Sequence, residues 1–355
     1  MALGEGIFMG MGAFIIRRLI MVIPTLIGCT LLLFAVTMMI SPYIRAMLYI
    51  TNDKQLLRID EVVKKYGLND PFWVQYSRWI SEVLKGNLGW SQVAGEPVLK
   101  AMLERIPATL ELVMFSAPIV IVLGIYLGVQ SAVHRDTWID HLTRSTAIIG
   151  WSLPSFWFAI ILIAIFYVGL GWFAPMRLGN AAQTVVNSMR FIKYTGLNTI
   201  DGLLNGQLWI TVDALRHLVL PVTVLTVIQI ALIIRVMRSS MLEALNKGYI
   251  VMARAKGLKN SEVINRHARR NALIPVVTLS ALLTAGMITG VVITETTFSI
   301  NGIGRFAADA AVGHGGAVDM ASVLGFALFT GIIFIVANLI VDITYAYLDP
   351  RIRLD

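Results

Sequence analysis

Residues 108–133 read ATLELVMFSAPIVIVLGIYLGVQSAV, an apolar run whose single charged residue is Glu111. A helix needs roughly 20 mostly apolar residues to cross a bilayer. Only a helix or a closed barrel satisfies its own backbone groups there. The run does not alternate polar with apolar residues, as a barrel strand of about ten residues would, so it reads as a spanning helix. Five further stretches qualify: 14–40, 143–173, 215–237, 272–298 and 321–347. The expected fold class is all-α integral membrane, with six transmembrane helices.

The composition agrees. Of 355 residues, 57% are hydrophobic and 14% charged, where a soluble domain is about half apolar and a quarter charged. Arg17 and Arg18 precede the apolar residues 19–40. That run exceeds a signal-peptide core of about 7–15 residues, and no small-x-small cleavage site follows. It reads as a retained first span. The lone Cys29 excludes an internal disulfide framework and a cysteine-only metal site. The formal charge of +8 reads as cytoplasmic loops facing anionic lipid rather than as a nucleic-acid surface.

Loop charge orients the chain. Residues 235–271 carry Arg235, Arg238, Lys247, Arg254, Lys256, Lys259, Arg266, Arg269 and Arg270 against Glu243 and Glu262. With six spans, Arg17, Arg18, Arg135, Arg144, Arg351 and Arg353 fall on the same side. The positive-inside rule makes that side cytoplasmic, with both termini inside. The loop 41–107 is also basic, but long loops count little in the rule. Its bases are interleaved with acids such as Asp60, Glu61, Asp70, Glu82, Glu96 and Glu104. Within it, Trp73, Tyr76, Trp79 and Ile80 recur at helical spacing. That pattern fits an amphipathic helix lying on the membrane surface, or a contact for an external partner. The second outer loop, 174–214, is long enough to be functional or disordered.

Catalytic motifs are missing. There is no G-x-x-x-x-G-K-[ST] phosphate loop and no H-E-x-x-H. The run Gly313-His314-Gly315-Gly316 has no G-x-S-x-G elbow beside it and reads as an external turn. Ionisable residues within spans are functional candidates by default. Here Glu111, Asp213, Glu295 and Asp342 lie near segment ends and form no relay along one helix, so each reads as a snorkelling or locally hydrogen-bonded carboxylate. The pairs Gly124/Gly128 and Gly286/Gly290 are small-xxx-small spacings that mean close helix packing.

The stretch 243–275, EALNKGYIVMARAKGLKNSEVINRHARRNALIP, is too polar to span. Helix formers flank a break at Gly257. Ala253 and Ala255 are small enough for another surface to approach the backbone, and Arg254, Lys256 and Lys259 make the same turn basic. A short helix standing off from helices four and five suits mechanical coupling. A solvated basic loop near anionic lipid is the alternative.

At ARAKGL (253–258) and RHARRNALIPV (266–276) the chain resembles the membrane permeases of ABC importers, in particular the B-type subunit of the dipeptide/oligopeptide/nickel branch. The resemblance extends through FIIRRLIMVIPTLIG (14–28), YGLNDP (66–71), GNLGWS (86–91), RIPATLEL (105–112), SLPSFW (152–157), HLVLP (217–221), TETTFSINGIGR (294–305) and LDPRIRL (348–354). It departs from the generic EAA loop, because Val251, Met252 and Ala253 stand where Glu-Ala-Ala is usual. It departs again after helix one, where Ser41-Pro42-Tyr43-Ile44 replaces Pro-Gly-Asp-Pro. The resemblance implies the type I permease fold, with a cytoplasmic coupling helix between helices 4 and 5. It implies an N-terminal helix and large extracellular loop over 1–106 and a core permease domain over 107–355. The implied partners are a homologous C-type permease subunit, two ABC ATPase subunits that bind ATP and magnesium, and an extracellular solute-binding protein. No cofactor is expected on this chain. Coupling to the ATPase is expected at Tyr249, Ala253, Arg254, Ala255, Lys256, Gly257 and Leu258. In that scheme Gly257 ends the helix, Ala253 gives close approach, and Arg254 and Lys256 meet acidic groups. The cargo implied is a peptide first, with an oligosaccharide or a nickel chelate as the alternative. A non-transporting membrane scaffold is the competing class.

The orientation is tested by labelling. A cysteine placed at Asn260 is expected to react with an impermeant reagent only from the cytoplasmic side, and one at Gly95 only from outside. The reverse pattern would overturn the topology.

Overall fold

The computed structural model describes residues 11–50, 57–313 and 318–348. His314–Gly316 and the Asp349–Leu354 part of the last motif lie outside them. Five described helices are long and apolar enough to cross a membrane, and a bent pair makes a sixth.

The first span, α1 (Met11–Met38), is mostly exposed. After it, α2 (Pro42–Ala46) and α3 (Ile59–Lys65) lead to α4 (Phe72–Leu84). Helix α4 crosses α1 near its outer end. Phe72, Tyr76 and Trp79 surround the Phe34 ring, and the Tyr76 hydroxyl meets Thr30 at 2.9 Å. The amphipathic stripe is therefore spent on α1, while Trp73 stays exposed. Behind it the buried Arg45 donates to Gln75 Oε1 and to the Leu68 carbonyl.

A short antiparallel pair, β1 (Trp90–Ser91) and β2 (Glu96–Pro97), runs directly into α5 (Val98–Val133). Thus the second span starts well before the expected residue 108. The division expected at 106/107 falls inside one continuous helix. Lys100 lies between Glu96 of β2 and Glu104, 3.2 and 3.8 Å away, and the i,i+4 pair with Glu104 supports the helix in water.

The third expected span is not one helix. α6 (Trp138–Ser152) and α7 (Ser155–Gly169) meet at 99°. Pro154 has no N–H to donate and disfavours the helical region for the residue before it. Leu153 accordingly has ψ 128°. The outer end of α7, from Ile163, is π-helical.

The loop after it is ordered. It holds α8 (Asn180–Val186) and α9 (Asn198–Leu204), and α8 closes on a small core of Leu178, Ala182, Val186, Phe191, Ile210 and Ala214. The fourth span, α10 (Leu208–Leu245), overruns the expected 215–237 at both ends. It packs along α5 through glycines. A Cβ at Gly124 would lie 2.6 Å from Ile233, and one at Gly128 would lie 2.6 Å from Met237. The first small-xxx-small pair is therefore a packing seam.

After α11 (Gly248–Ala255), the fifth span α12 (Asn260–Ile288) includes a π-helical turn at Val263–Ala268. It stops at Ile288, short of the expected residue 298. Gly290, at φ 112°, turns the chain with its backbone against Gly304. The short helices α13 (Val292–Thr297) and α14 (Ile303–Val312) follow before the last span, α15 (Met320–Leu348). The second glycine pair is consequently no seam, because Gly286 faces open space and Gly290 is a turn.

Overpacking a core costs about 1–3 kcal/mol, occasionally more. Gly128→Leu is expected to lower the thermal unfolding midpoint of the purified chain accordingly. Gly286→Ala should leave the midpoint unchanged or raise it. Equal effects would refute the α5–α10 seam.

Candidate coupling surface

The polar stretch between spans four and five folds as a single short helix with two different faces. Ile250 and Ala253, three residues apart on α11, point inward. They join one apolar cluster with Met241 and Ala244 of α10, Val129 and Ala132 of α5, and Val263 and Ala268 of α12. The π-turn puts both Val263 and Ala268 on this inner side. On the other face Val251 and Met252 are about two-thirds exposed (64% and 65%), and Tyr249 and Leu258 are partly exposed. Arg254, Ala255, Lys256 and Gly257 are exposed too.

The helix ends as the glycine requires. Gly257 adopts φ 77°, a region an L side chain rarely enters. Its N–H donates to the Arg254 carbonyl at 2.9 Å, and the Leu258 N–H reaches the Ala253 carbonyl at 3.4 Å. These two bonds form the Schellman closure of a helix C-terminus. A Cβ at Gly257 would meet nothing within 4 Å. Backbone conformation, not crowding within the chain, selects glycine here.

Of the sequence-derived site residues, Tyr249, Arg254, Ala255, Lys256, Gly257 and Leu258 lie together on the outer face or at its end. Ala253 does not. It was expected to admit a partner, but it is 6% exposed and packs against its own chain. Small size there serves the internal contact. Sequence reasoning missed Ile250 as the anchor and Val251–Met252 as the exposed apolar pair. The i,i+3 spacing of Ile250 and Ala253 carried that signal. The same stretch carries Arg254, Lys256, Lys259, Arg266, Arg269 and Arg270, all exposed. Glu262 is the one acid in residues 248–271. Just before the helix, Lys247 pairs with Glu243 at 2.8 Å. That hydrogen bond holds the Lys247 ammonium above its ordinary pKa.

The intramembrane carboxylates are all paired. Glu111 is buried and accepts from Arg177 at 2.6 Å and from the Thr199 N–H and hydroxyl at 2.8 and 2.9 Å. Glu295 accepts from the Thr109 hydroxyl at 2.6 Å and the Arg305 N–H at 2.7 Å. Asp213 accepts from the Gly179 N–H at 2.7 Å, and Asp342 meets Arg18 at 3.0 Å. The reading of these four as locally bonded groups agrees with this geometry. A further pair, Asp140 with Arg238, was not foreseen. The Asp140 side chain is fully buried and receives Nε and Nη2 of Arg238 at 2.8 and 2.7 Å.

Known proteins resemble the chain over most of its length. The family described as the binding-protein-dependent transport system inner membrane component matches residues 120–354, and its N-terminal companion matches residues 11–113. The chain is 36% identical to a dipeptide transport system permease protein of Alkalihalophilus pseudofirmus, covering 96% of this chain and 99% of that one. It is 35% identical to an oligopeptide transport system permease protein of Bacillus subtilis, covering 97% and 100%. A dipeptide transport system permease protein of Escherichia coli is 38% identical, over 96% and 98%.

The inward anchor is separable from the outward face. Large-to-small changes at buried Ile sites cost about 2–5 kcal/mol. Ile250→Ala is therefore expected to raise amide hydrogen exchange across residues 248–258. Val251→Ala should leave that exchange near the wild-type rate. Equal protection in the two variants would refute the assignment of faces.

Proposed function

Since the chain belongs to the binding-protein-dependent inner membrane components of the ABC importer peptide family, we propose that it forms half of an ATP-driven translocation pathway for peptides. A homologous permease subunit supplies the other half. Two cytoplasmic ATPase subunits drive it, and an extracellular solute-binding protein delivers the cargo. The chain sits in the cell membrane with both termini inside, as its loop charges favour. ATP and magnesium belong to the ATPase subunits, because this chain has no phosphate loop of the G-x-x-x-x-G-K-[ST] kind.

The observation that supports the reading most directly is α11. A partner groove would receive Tyr249, Val251, Met252 and Leu258 as an apolar ridge. Arg254 and Lys256 at its rim would meet acidic groups. Rim ion pairs in water contribute about 0–1 kcal/mol each, so the ridge supplies adhesion and the charges supply register. Because Ile250 and Ala253 share a cluster with α5, α10 and α12, a push on α11 is transmitted to three spans at once. ATP binding favours the closed ATPase dimer and so shifts the population of the attached spans. Inverting a 1:99 equilibrium takes about 5.5 kcal/mol of differential binding.

The peptide cargo rests on the names of the relatives. It is tested with the chain co-expressed with its partner subunits in lipid nanodiscs. The cognate binding protein loaded with peptide is expected to stimulate ATP hydrolysis, and oligosaccharide is not. Stimulation by oligosaccharide alone would replace the cargo. Purification without any ATPase subunit would favour a scaffold.

Gly257→Trp combines a strained φ with bulk at the outer face. It is expected to insert normally, yet to uncouple ATP hydrolysis from uptake. Wild-type coupling in that variant would remove α11 from the mechanism.

A further inference from the structure

The Asp140–Arg238 pair joins elements far apart in sequence at the end of the molecule that carries α11. Asp140 lies in the first turn of α6. Its Oδ1 accepts from the Ser131 hydroxyl of α5 and from Arg238 Nε, and its Oδ2 accepts from Arg238 Nη2 and the Asp136 N–H. The Asp136 backbone is itself held at φ 61°. One buried carboxylate thus gathers α5, α6, α10 and the turn between α5 and α6.

A second contact fixes how α6 lies. Gly150 packs its bare backbone on α10, where a Cβ would come within 2.8 Å of the Val227 carbonyl. Going from Asp140 to Gly150 advances along α6, while the partners retreat from Arg238 to Val227 along α10. The two helices therefore run antiparallel. They are pinned at two points about 15 Å apart at 1.5 Å per residue. At the Leu153–Pro154 joint, beyond Gly150, the chain turns by 99°. Helix α7 then packs on a different stretch of α10, in a cluster of Leu218, Leu220, Val222 and Leu225 with Leu112, Phe298 and Ile300.

Arg238 lies about two turns before the end of α10, the helix that leads into α11, and those final turns share the cluster of Ile250 and Ala253. A displacement of α11 that moves the end of α10 must carry Arg238 with it. A bidentate guanidinium–carboxylate contact transmits direction as well as attraction, because both N–H groups must stay aligned. We propose that Asp140 and Arg238 are positioning residues for transport: their ion pair makes α6, the inner half of the broken third span, follow the end of α10 that leads into the coupling helix. This rests on the importer reading above. It adds to that reading which part of the pathway wall moves with the ATPase and through which atoms.

The test uses the complete importer in nanodiscs, measuring ATP hydrolysis and peptide uptake in the same sample. Asp140→Ala and Arg238→Ala are expected to assemble and hydrolyse ATP. Peptide moved per ATP should fall by about 5- to 150-fold, the range of an allosteric coupling. Arg238→Lys keeps the charge without the fork and should fall between them and wild type. Cysteines at 140 and 238 in a Cys29→Ser background, bridged by a short bifunctional thiosulfonate, are expected to restore the ratio until a reductant opens the bridge. An unchanged ratio in the alanine variants would overturn the proposal. So would a bridge that restores assembly or thermal stability without restoring the ratio, since the pair would then be structural only. A wild-type complex that hydrolyses ATP without uptake would instead overturn the importer reading.

Discussion

A charge inside an apolar helical body must be met by a partner before the chain can settle. Leaving one ion of a buried pair without its counterpart costs about 3–5 kcal/mol. That requirement organises this molecule. Glu111 draws Arg177 and Thr199 from the segment between α7 and α10 onto α5. Glu295 ties the turn after α12 to Thr109, whose hydroxyl also receives the Ile303 N–H at the start of α14. Asp319 receives the Ser91 hydroxyl and the Val93 N–H of the β1–β2 hairpin at 2.7 and 3.1 Å. Asp140 does the same at the end of the molecule that carries α11. The carboxylates act as fasteners between segments that hydrophobic packing alone would leave free to slide.

The long helices give those fasteners reach. At 1.5 Å per residue, α5 and α10 span about 54 and 57 Å, against a hydrocarbon core of about 30 Å. Their ends therefore project into water. The projecting start of α5 is continuous with the β1–β2 hairpin, and the projecting end of α10 leads into α11. The glycine seam at Gly124 and Gly128 makes these two helices one body. Such a body suits a subunit that is worked from one side of the membrane and opens on the other.

Hydropathy located the spans because transfer into lipid depends on side-chain composition over about 20 residues. It did not locate helix ends, since helicity continues wherever backbone bonds and i,i+4 pairs allow it. Lys100 with Glu104 belongs to such a polar extension. The broken third span was signalled by Pro154, yet a proline within an apolar run is equally compatible with a kink. The angle followed from what each half packs against. Gly257 was legible because a basic, helix-forming stretch interrupted by glycine has few other uses. Ala253 was misread as an outward residue, because small size does not say which side is approached.

Composition and apolar run length therefore sufficed for a mostly helical membrane chain, and helix formers broken by a glycine for a short polar helix ended at Gly257. These properties are local: each depends on one residue's transfer free energy or backbone freedom. Tertiary structure alone assigned Arg238 to Asp140, Arg177 to Glu111 and Thr109 to Glu295, at sequence separations of 98, 66 and 186. It also turned Ala253 inward and left Val251 and Met252 outside. Pairing over such distances depends on which helices the glycine seams and apolar clusters bring together, and no window of sequence contains both partners.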